Sequence, residues 1–302
     1  MLRSWQYTTV NDWEQKYAMC SPDVLQPILR ESWEELRDLF KFEWPKHELA
    51  YNTIQNYIDW DKKDSKIKDL EILSLNGNWR QTGAYLVLDR FQIFLYTLEE
   101  DCNSLKRALR LIDWDYSYRI SVVLDAHWPT VDAVLKQQHI ETRFYNKSLL
   151  FYLPREEALK FHIELPQGLQ LKQLTAEHGV YANRLWPHRN SGSEYFIKRL
   201  AAWNVSMGLF NESGQLLGWC FQWQTGAIGP LEVLPEHYRK GYGTLLTKAI
   251  ARELARRGRN CYGNVSETNV ASIGMFERLG FRLPCYHHWV STKARKLCEW
   301  EV

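Results

Sequence analysis

From Leu231 to Leu246 the chain reads Leu-Glu-Val-Leu-Pro-Glu-His-Tyr-Arg-Lys-Gly-Tyr-Gly-Thr-Leu-Leu. An apolar strand gives way to a short basic turn punctuated by glycine, and the turn opens a helix. A helix start leaves backbone N–H groups without intrahelical partners and carries the positive end of the dipole, so an anion satisfies donors that otherwise need water. Gly241 and Gly243 lack a Cβ and let a ligand oxygen approach the main chain, while Arg239 and Lys240 add positive charge. The turn reads as a diphosphate cradle, against the plainer alternative of glycines that merely permit tight packing. Two commoner glycine-rich loops do not fit. A Walker loop needs Gly-Lys followed by Ser or Thr, whereas Gly243 is followed by Thr244 and Leu245; a dinucleotide fingerprint needs a third glycine where Leu246 stands.

Helix-period apolar residues continue from Leu245 and Leu246 through Ala249, Ile250 and Leu254, with Arg252, Arg256 and Arg257 toward the polar face and Gly258 as the stop. A strand is predicted over 260–265. Asn269 then caps a short helix that Gly280 ends, within Asn269-Val-Ala-Ser-Ile-Gly-Met-Phe-Glu-Arg-Leu-Gly-Phe281. This order of strand, glycine loop, helix, strand, Asn, short helix and Leu-Gly-Phe resembles the GNAT superfamily of acyl-CoA N-acyltransferases, closest to its glycine N-acyltransferase-like branch. The resemblance runs from about Gly168 to the C-terminus.

The resemblance implies that acyl-CoA or acetyl-CoA binds between two splayed parallel strands, 228–234 and 260–265. The main chain of Leu231, Val233 and Leu234 would pair with the pantetheine arm. The pyrophosphate would rest among Tyr238, Arg239, Lys240, Gly241, Tyr242, Gly243 and Thr244. Asn269, with Ser272 and Phe276, would complete the cofactor site, although a plain helix cap accounts for Asn269 equally well. Departures matter too. The Gln or Arg that usually stands three residues before the first glycine is Tyr238, with Arg239 one place later. The Tyr that protonates the departing thiolate in many members is matched by Phe276, and counting back from the loop puts Ala227 at the position of the branch's glutamate base.

Acyl transfer to an amine needs a neutral amine, an N–H donor for the oxyanion and at times an acid for the thiolate; proximity supplies much of the rate. Glu232 is a substitute base, because strand alternation points it opposite Leu231 and Val233; its alternative is a partly solvated strand carboxylate. His237, His287 and His288 titrate in the useful range and read more simply as surface or packing histidines. Cys20, Cys102, Cys220, Cys261, Cys285 and Cys298 form no C-x-x-C pair and no zinc spacing, so no metal is expected. The N-terminus lacks an apolar signal region and no long uncharged apolar run occurs, which predicts an intracellular, cytoplasmic chain without a membrane span.

The chain has 302 residues, 45% apolar and 14% aromatic, enough for two ordinary domains with packed cores. A net charge of +2 gives no drive toward nucleic acid, and the 14 tryptophans, spread through helical and turn contexts, read as core. The first half shows helices over 22–42 and 46–60, strands over 70–75, 84–88 and 92–98, a helix near 103–112, a strand over 120–124, a helix after Pro129 and an extended run over 142–153. The second half repeats this order with helices over 176–185 and 193–203 and strands over 207–210 and 216–223. The fold class predicted is therefore α/β (α+β): two GNAT-like lobes, each a mixed, mainly antiparallel sheet flanked by helices. The lobes are a degenerate domain over 1–163 and an acyl-CoA-binding domain over 164–302. The acidic stretch Leu98-Glu-Glu-Asp-Cys-Asn103, standing where the first lobe's loop should lie, would repel a diphosphate. Such an internal pseudo-dimer points to a monomer or a weak homodimer. Three functions follow: acyl transfer to a small amine such as glycine or another amino acid, acetylation of a protein or peptide, and non-catalytic acyl-CoA binding.

Overall fold

Apolar alternation along the predicted strands builds one sheet with helices on both faces. The computed structural model describes residues 22–296. In the first half, β1 (Leu25–Pro27) precedes helices α1 (Trp33–Leu39) and α2 (Glu48–Lys63). There follow β2 (Leu70–Leu75), a short α3 (Trp79–Thr82), β3 (Tyr85–Asp89), β4 (Gln92–Tyr96), α4 (Asn103–Leu109), β5 (Arg119–Leu124), α5 (Trp128–Gln137) and β6 (Thr142–Leu153). After α6 (Arg155–Leu159) come β7 (Gln170–Lys172), α7 (Ala176–Leu185), α8 (Ser193–Trp203), β8 (Ser206–Phe210), β9 (Leu216–Gln222) and β10 (Ala227–Val233). The chain then forms α9 (Tyr242–Arg256), β11 (Cys261–Ser266), α10 (Val270–Arg278) and β12 (Arg282–Thr292).

The twelve strands run in the order β1-β2-β3-β4-β5-β12-β6-β11-β10-β9-β8-β7. Each half contributes the same progression from its edge inward, and their last strands are exchanged. β12 pairs with β5 of the first half, while β6 pairs with β11 of the second, and β6 and β12 zip antiparallel along their length from Arg282↔Tyr152 to Thr292↔Thr142. Each half also holds one brief parallel step, Gln92↔Arg119 and Ile93↔Ile120 between β4 and β5, and Ala227↔Tyr262 and Ile228↔Gly263 between β10 and β11. The repeat predicted from element order is thus present as topology.

Alternate residues of one strand enter different cores, as the pleat requires. Phe94 and Tyr96 face a core that also holds Phe40, Tyr57, Trp60, Phe196, Leu200, Trp219 and Phe221; Ile93 and Leu95 face the α4–α5 side with Leu105 and Val134. Cys220, between Trp219 and Phe221, faces the α9–α10 side with Ile250, Leu254 and Phe276. The first core is shared by both halves, where Phe91 meets Phe196 at 5.2 Å and Trp60 meets Trp203 at 5.7 Å between ring centroids. Trp60 Nε1 donates to Asn204 Oδ1 at 2.6 Å, and Glu48 of α2 accepts from Asn260 Nδ2 at 2.7 Å and from the Tyr262 hydroxyl at 3.0 Å.

One expectation requires correction, and β7 and β12 lie outside the predicted strands. The helix over 22–42 is confined to Trp33–Leu39, because Pro27 has no N–H to give and the chain before it pairs as β1 with β2. β12 was not read at all: the pair His287 and His288 hides its apolar alternation, yet both imidazoles are buried. His287 accepts from Trp289 Nε1 at 2.9 Å. His288 lies between Asp125 Oδ1 at 2.6 Å and the Tyr145 hydroxyl at 2.9 Å, so both are packing residues. The edge strand β7 was also missed. Cys102, Cys220, Cys261 and Cys285 are free thiols, whereas Cys20 and Cys298 lie outside the described residues.

Candidate active site

β10 and β11 part after two paired residues. Beyond Ile228 the register of β10 shifts, at Gly229 with φ +145°, and the strand continues antiparallel to β9 while β11 follows β6. The gap between them opens into a cavity of about 580 Å³, a size suited to a small ligand. Leu234 donates its N–H to the Leu217 carbonyl at 2.8 Å and its carbonyl accepts from His237, so Leu234 offers no free main-chain group to an incoming arm. Alternation then directs Glu232 toward β9 as well and aims the main-chain groups of Leu231 and Val233 into the gap.

After β10, Gly241 is the residue before α9, with φ +78°, and Arg239 has φ +62°. The first helical bond runs from Leu245 N–H to the Gly241 carbonyl at 3.0 Å. No oxygen of a described residue accepts from the N–H groups of Arg239, Lys240, Gly241, Tyr242, Gly243 or Thr244. Arg239 and Lys240 are exposed beside them, as is Tyr238. Gly243 has ordinary helical geometry, and a Cβ built on it would sit 3.7 Å from Met275 Sδ and 3.9 Å from Leu231 Cδ2. The fold therefore does not require glycine at 243, whereas a closely approaching anion does. The corresponding helix start in the first half is filled from within. Glu99 Oε2 accepts from Ser104 N–H at 2.8 Å, Glu99 Oε1 from the Ser104 hydroxyl at 2.7 Å and Asp101 Oδ1 from Asn103 N–H at 3.0 Å.

Asn269 caps α10 by accepting from Ser272 N–H at 3.1 Å, and Asn269, Ser272 and Phe276 all line the cavity. Phe276 is 3% exposed and stacks on Phe151 at 5.3 Å; a Cβ at Gly263 would come within 2.1 Å of its Cε1, so the glycine makes room for this ring. Ala227 is fully buried and, like Phe276, carries no titratable proton.

The other side of the gap holds groups that sequence reading did not assemble. Glu232 lines it half-buried, and burial pushes its carboxyl pKa up. Asn264, on the same wall, has both carboxamide atoms buried and without a hydrogen-bond partner among the described residues. His188 lies there too, its pKa lowered by burial first and by Arg119 second. Trp186, Trp223 and Trp289 form a continuous wall, with ring centroids 6.0 and 5.9 Å apart. Arg119, Arg143 and Phe144 come from the first half, Arg143 and Phe144 on the exchanged β6 and Arg119 on β5, which pairs with the exchanged β12. Trp186 and Trp223 are core residues, as the composition predicts, and turn what is left of their surface to the cavity.

Residues 206–290 match the family described as FR47-like protein. Among solved structures, a Drosophila protein from a structural-genomics programme is 24% identical with a TM-score of 0.80, covering 91% of this chain and 100% of that one. A GCN5-related N-acetyltransferase from Sphaerobacter thermophilus is 11% identical with a TM-score of 0.54, covering 90% and 95%. A tandem GNAT protein from the clavulanic acid biosynthesis pathway is 15% identical with a TM-score of 0.53, covering 89% and 98%. These likenesses show a GNAT-like mixed α/β fold. Among the described residues, no helix is long and apolar enough to cross a membrane.

Proposed function

We propose that the chain is an acyl-CoA-dependent N-acyltransferase that moves an acyl group to the amine of a small molecule, such as glycine or another amino acid, by direct attack in a ternary complex. The observation that carries this reading is the row of unengaged amides from 239 to 244, following β10 and including Gly243 beside Leu231, which lines the cavity. On this reading the second lobe, 164–302, seats the diphosphate on those amides, and Arg239 and Lys240 screen its charge. The pantetheine arm lies against the free edge of Leu231 and Val233, with Asn269, Ser272 and Phe276 alongside. The first lobe, 1–163, has its matching helix start closed by Glu99 and supplies acceptor-side walls instead. Because the repeat already provides a pseudo-dimer, the protein would act as a monomer or a weak homodimer.

Attack needs the amine neutral, and Glu232 is the carboxylate on the acceptor side able to take its proton. The thiolate takes its proton from water, since Phe276 has none to give. Three arginines, Arg119, Arg143 and Arg189, line the cavity against one acid, Glu232, which favours a small acceptor over a basic peptide. The absence of titratable groups at Ala227 and Phe276 supports a second reading, a non-catalytic acyl-CoA binder. Calorimetric titration with acetyl-CoA and longer acyl-CoAs, followed by thiol release with a panel of amines, separates the two. Binding with amine-dependent thiol release is expected of the enzyme, binding alone identifies the sensor, and no binding overturns both.

A further inference from the structure

Resting on the acyl-transfer reading above, the geometry points to a particular acceptor class: an α-amino acid with an aromatic or bulky aliphatic side chain. Its carboxylate is held by Arg119 beside Arg143, its side chain lies against the three indoles, and its amine faces Glu232.

Arg119 opens β5, and its neighbour Ile120 enters the α4–α5 core, so the pleat turns Arg119 to the opposite face, where the cavity lies. The partners of its guanidinium among the described residues are all neutral. Nε donates to Ser291 Oγ at 3.4 Å, the Asn190 carboxamide in its favoured orientation accepts from the two Nη atoms at 3.0 and 3.1 Å, and the Phe144 ring lies 6.0 Å away. No carboxylate of a described residue pairs with Arg119. A guanidinium withdrawn from water without an anion is unfavourable, and the exposed Arg143 adds positive charge to the same cavity. Burial first and Arg143 second lower the pKa of Arg119, as expected for two cations that share a site. A planar guanidinium fork matches a carboxylate.

Glu232 distinguishes a carboxylate from a phosphate. It lines the same cavity and would repel a dianion, whereas a zwitterion offers an ammonium to Glu232 and a carboxylate to Arg119. The indoles distinguish the side chain. Trp186 and Trp223 are 7% and 8% exposed, and what remains of their surface, with Trp289, forms one apolar wall of the cavity. Glycine would leave that wall uncovered, while an aromatic or branched side chain covers it.

The test uses the full chain with acetyl-CoA and compares L-phenylalanine, L-leucine, glycine, L-phenylalaninamide and phenethylamine as acceptors by thiol release. We expect L-phenylalanine and L-leucine to exceed glycine, and L-phenylalanine to exceed its amide and phenethylamine, in kcat/KM by roughly 10- to 100-fold. Arg119→Gln should raise the KM for L-phenylalanine by a similar factor while leaving the KM for acetyl-CoA in place. Equal use of phenethylamine and L-phenylalanine, or a loss in Arg119→Gln confined to kcat and common to all acceptors, overturns the carboxylate clamp. Preference for glycine overturns the aromatic half. If no amine releases thiol, the transfer reading fails, and calorimetric titration of the coenzyme A-saturated chain with L-phenylalanine and its amide decides the clamp alone. Tighter binding of the acid that is lost in Arg119→Gln supports it; equal binding or none overturns it.

Discussion

Replacing Gly243 with valine separates a glycine kept for a ligand from one kept for the fold. The helical backbone at 243 accepts a side chain, and the nearest atoms to a new Cβ, Met275 Sδ at 3.7 Å and Leu231 Cδ2 at 3.9 Å, are at ordinary contact distance. Removing a glycine from a helix gains up to about 0.5 kcal/mol, so Gly243→Val should melt no lower than the parent. The added methyl groups stand between an approaching diphosphate and the amides at the start of α9. Losing one charge-assisted hydrogen bond costs roughly 1.5–3 kcal/mol, so the coenzyme A Kd should rise by roughly 10- to 150-fold. Gly241 makes a poorer test, because its φ of +78° strains any other residue whatever the ligand does. Thermal melting with isothermal calorimetry reads both quantities. An unchanged Kd in a fully folded variant refutes the cradle, and a lowered melting temperature assigns Gly243 to the fold.

Three further outcomes are expected. Glu232→Gln should lower kcat by roughly 10²- to 10⁴-fold and abolish the rise of kcat/KM with pH that tracks ionisation of this burial-raised carboxyl; an unaltered pH profile would remove Glu232 as the base. Asp89 is fully buried, and burial raises its pKa to about 7 from 3.8, partly countered by the Tyr57 hydroxyl donating at 3.1 Å. A carboxyl whose folded pKa is raised favours the native state while protonated, so its contribution is lost as pH climbs from about 4 through 7. At about 1.4 kcal/mol per tenfold this amounts to an order of 4 kcal/mol, and Asp89→Asn should therefore be less sensitive to that rise in denaturant titrations at pH 5 and 8. Identical slopes for parent and variant would show that Asp89 stays ionised. Gly263→Ala should destabilise by roughly 1–3 kcal/mol or more, since its Cβ would meet Phe276 Cε1 at 2.1 Å; a neutral result in urea would mean the ring moves freely.

The turn before α9 and the elements around it were legible because their determinants are local. The turn around Gly241 and Gly243, the Asn269 cap and the stops at Gly258 and Gly280 each follow from neighbours in sequence, and the structure forms the helices and turns they predict. The opposite wall of the cavity was not legible. Arg119, Arg143, Trp186, Asn264 and Trp289 are brought together by the exchange of β6 and β12 between halves, a long-range pairing that no local period encodes. Where a local rule failed, one or two residues explain it: Pro27 keeps the first part of the expected first helix extended as β1, and His287 and His288 disguise a buried strand by supplying their own hydrogen bonds.

The central claim is that the open amides before and within the first turn of α9 grip the paired phosphates of coenzyme A. A crystal structure of the chain grown with coenzyme A tests it most directly. The account predicts diphosphate oxygens within hydrogen-bond distance of the N–H groups between 239 and 244, with the pantetheine arm running between β10 and β11. Coenzyme A bound elsewhere, or those amides turned away from the phosphates, would contradict it.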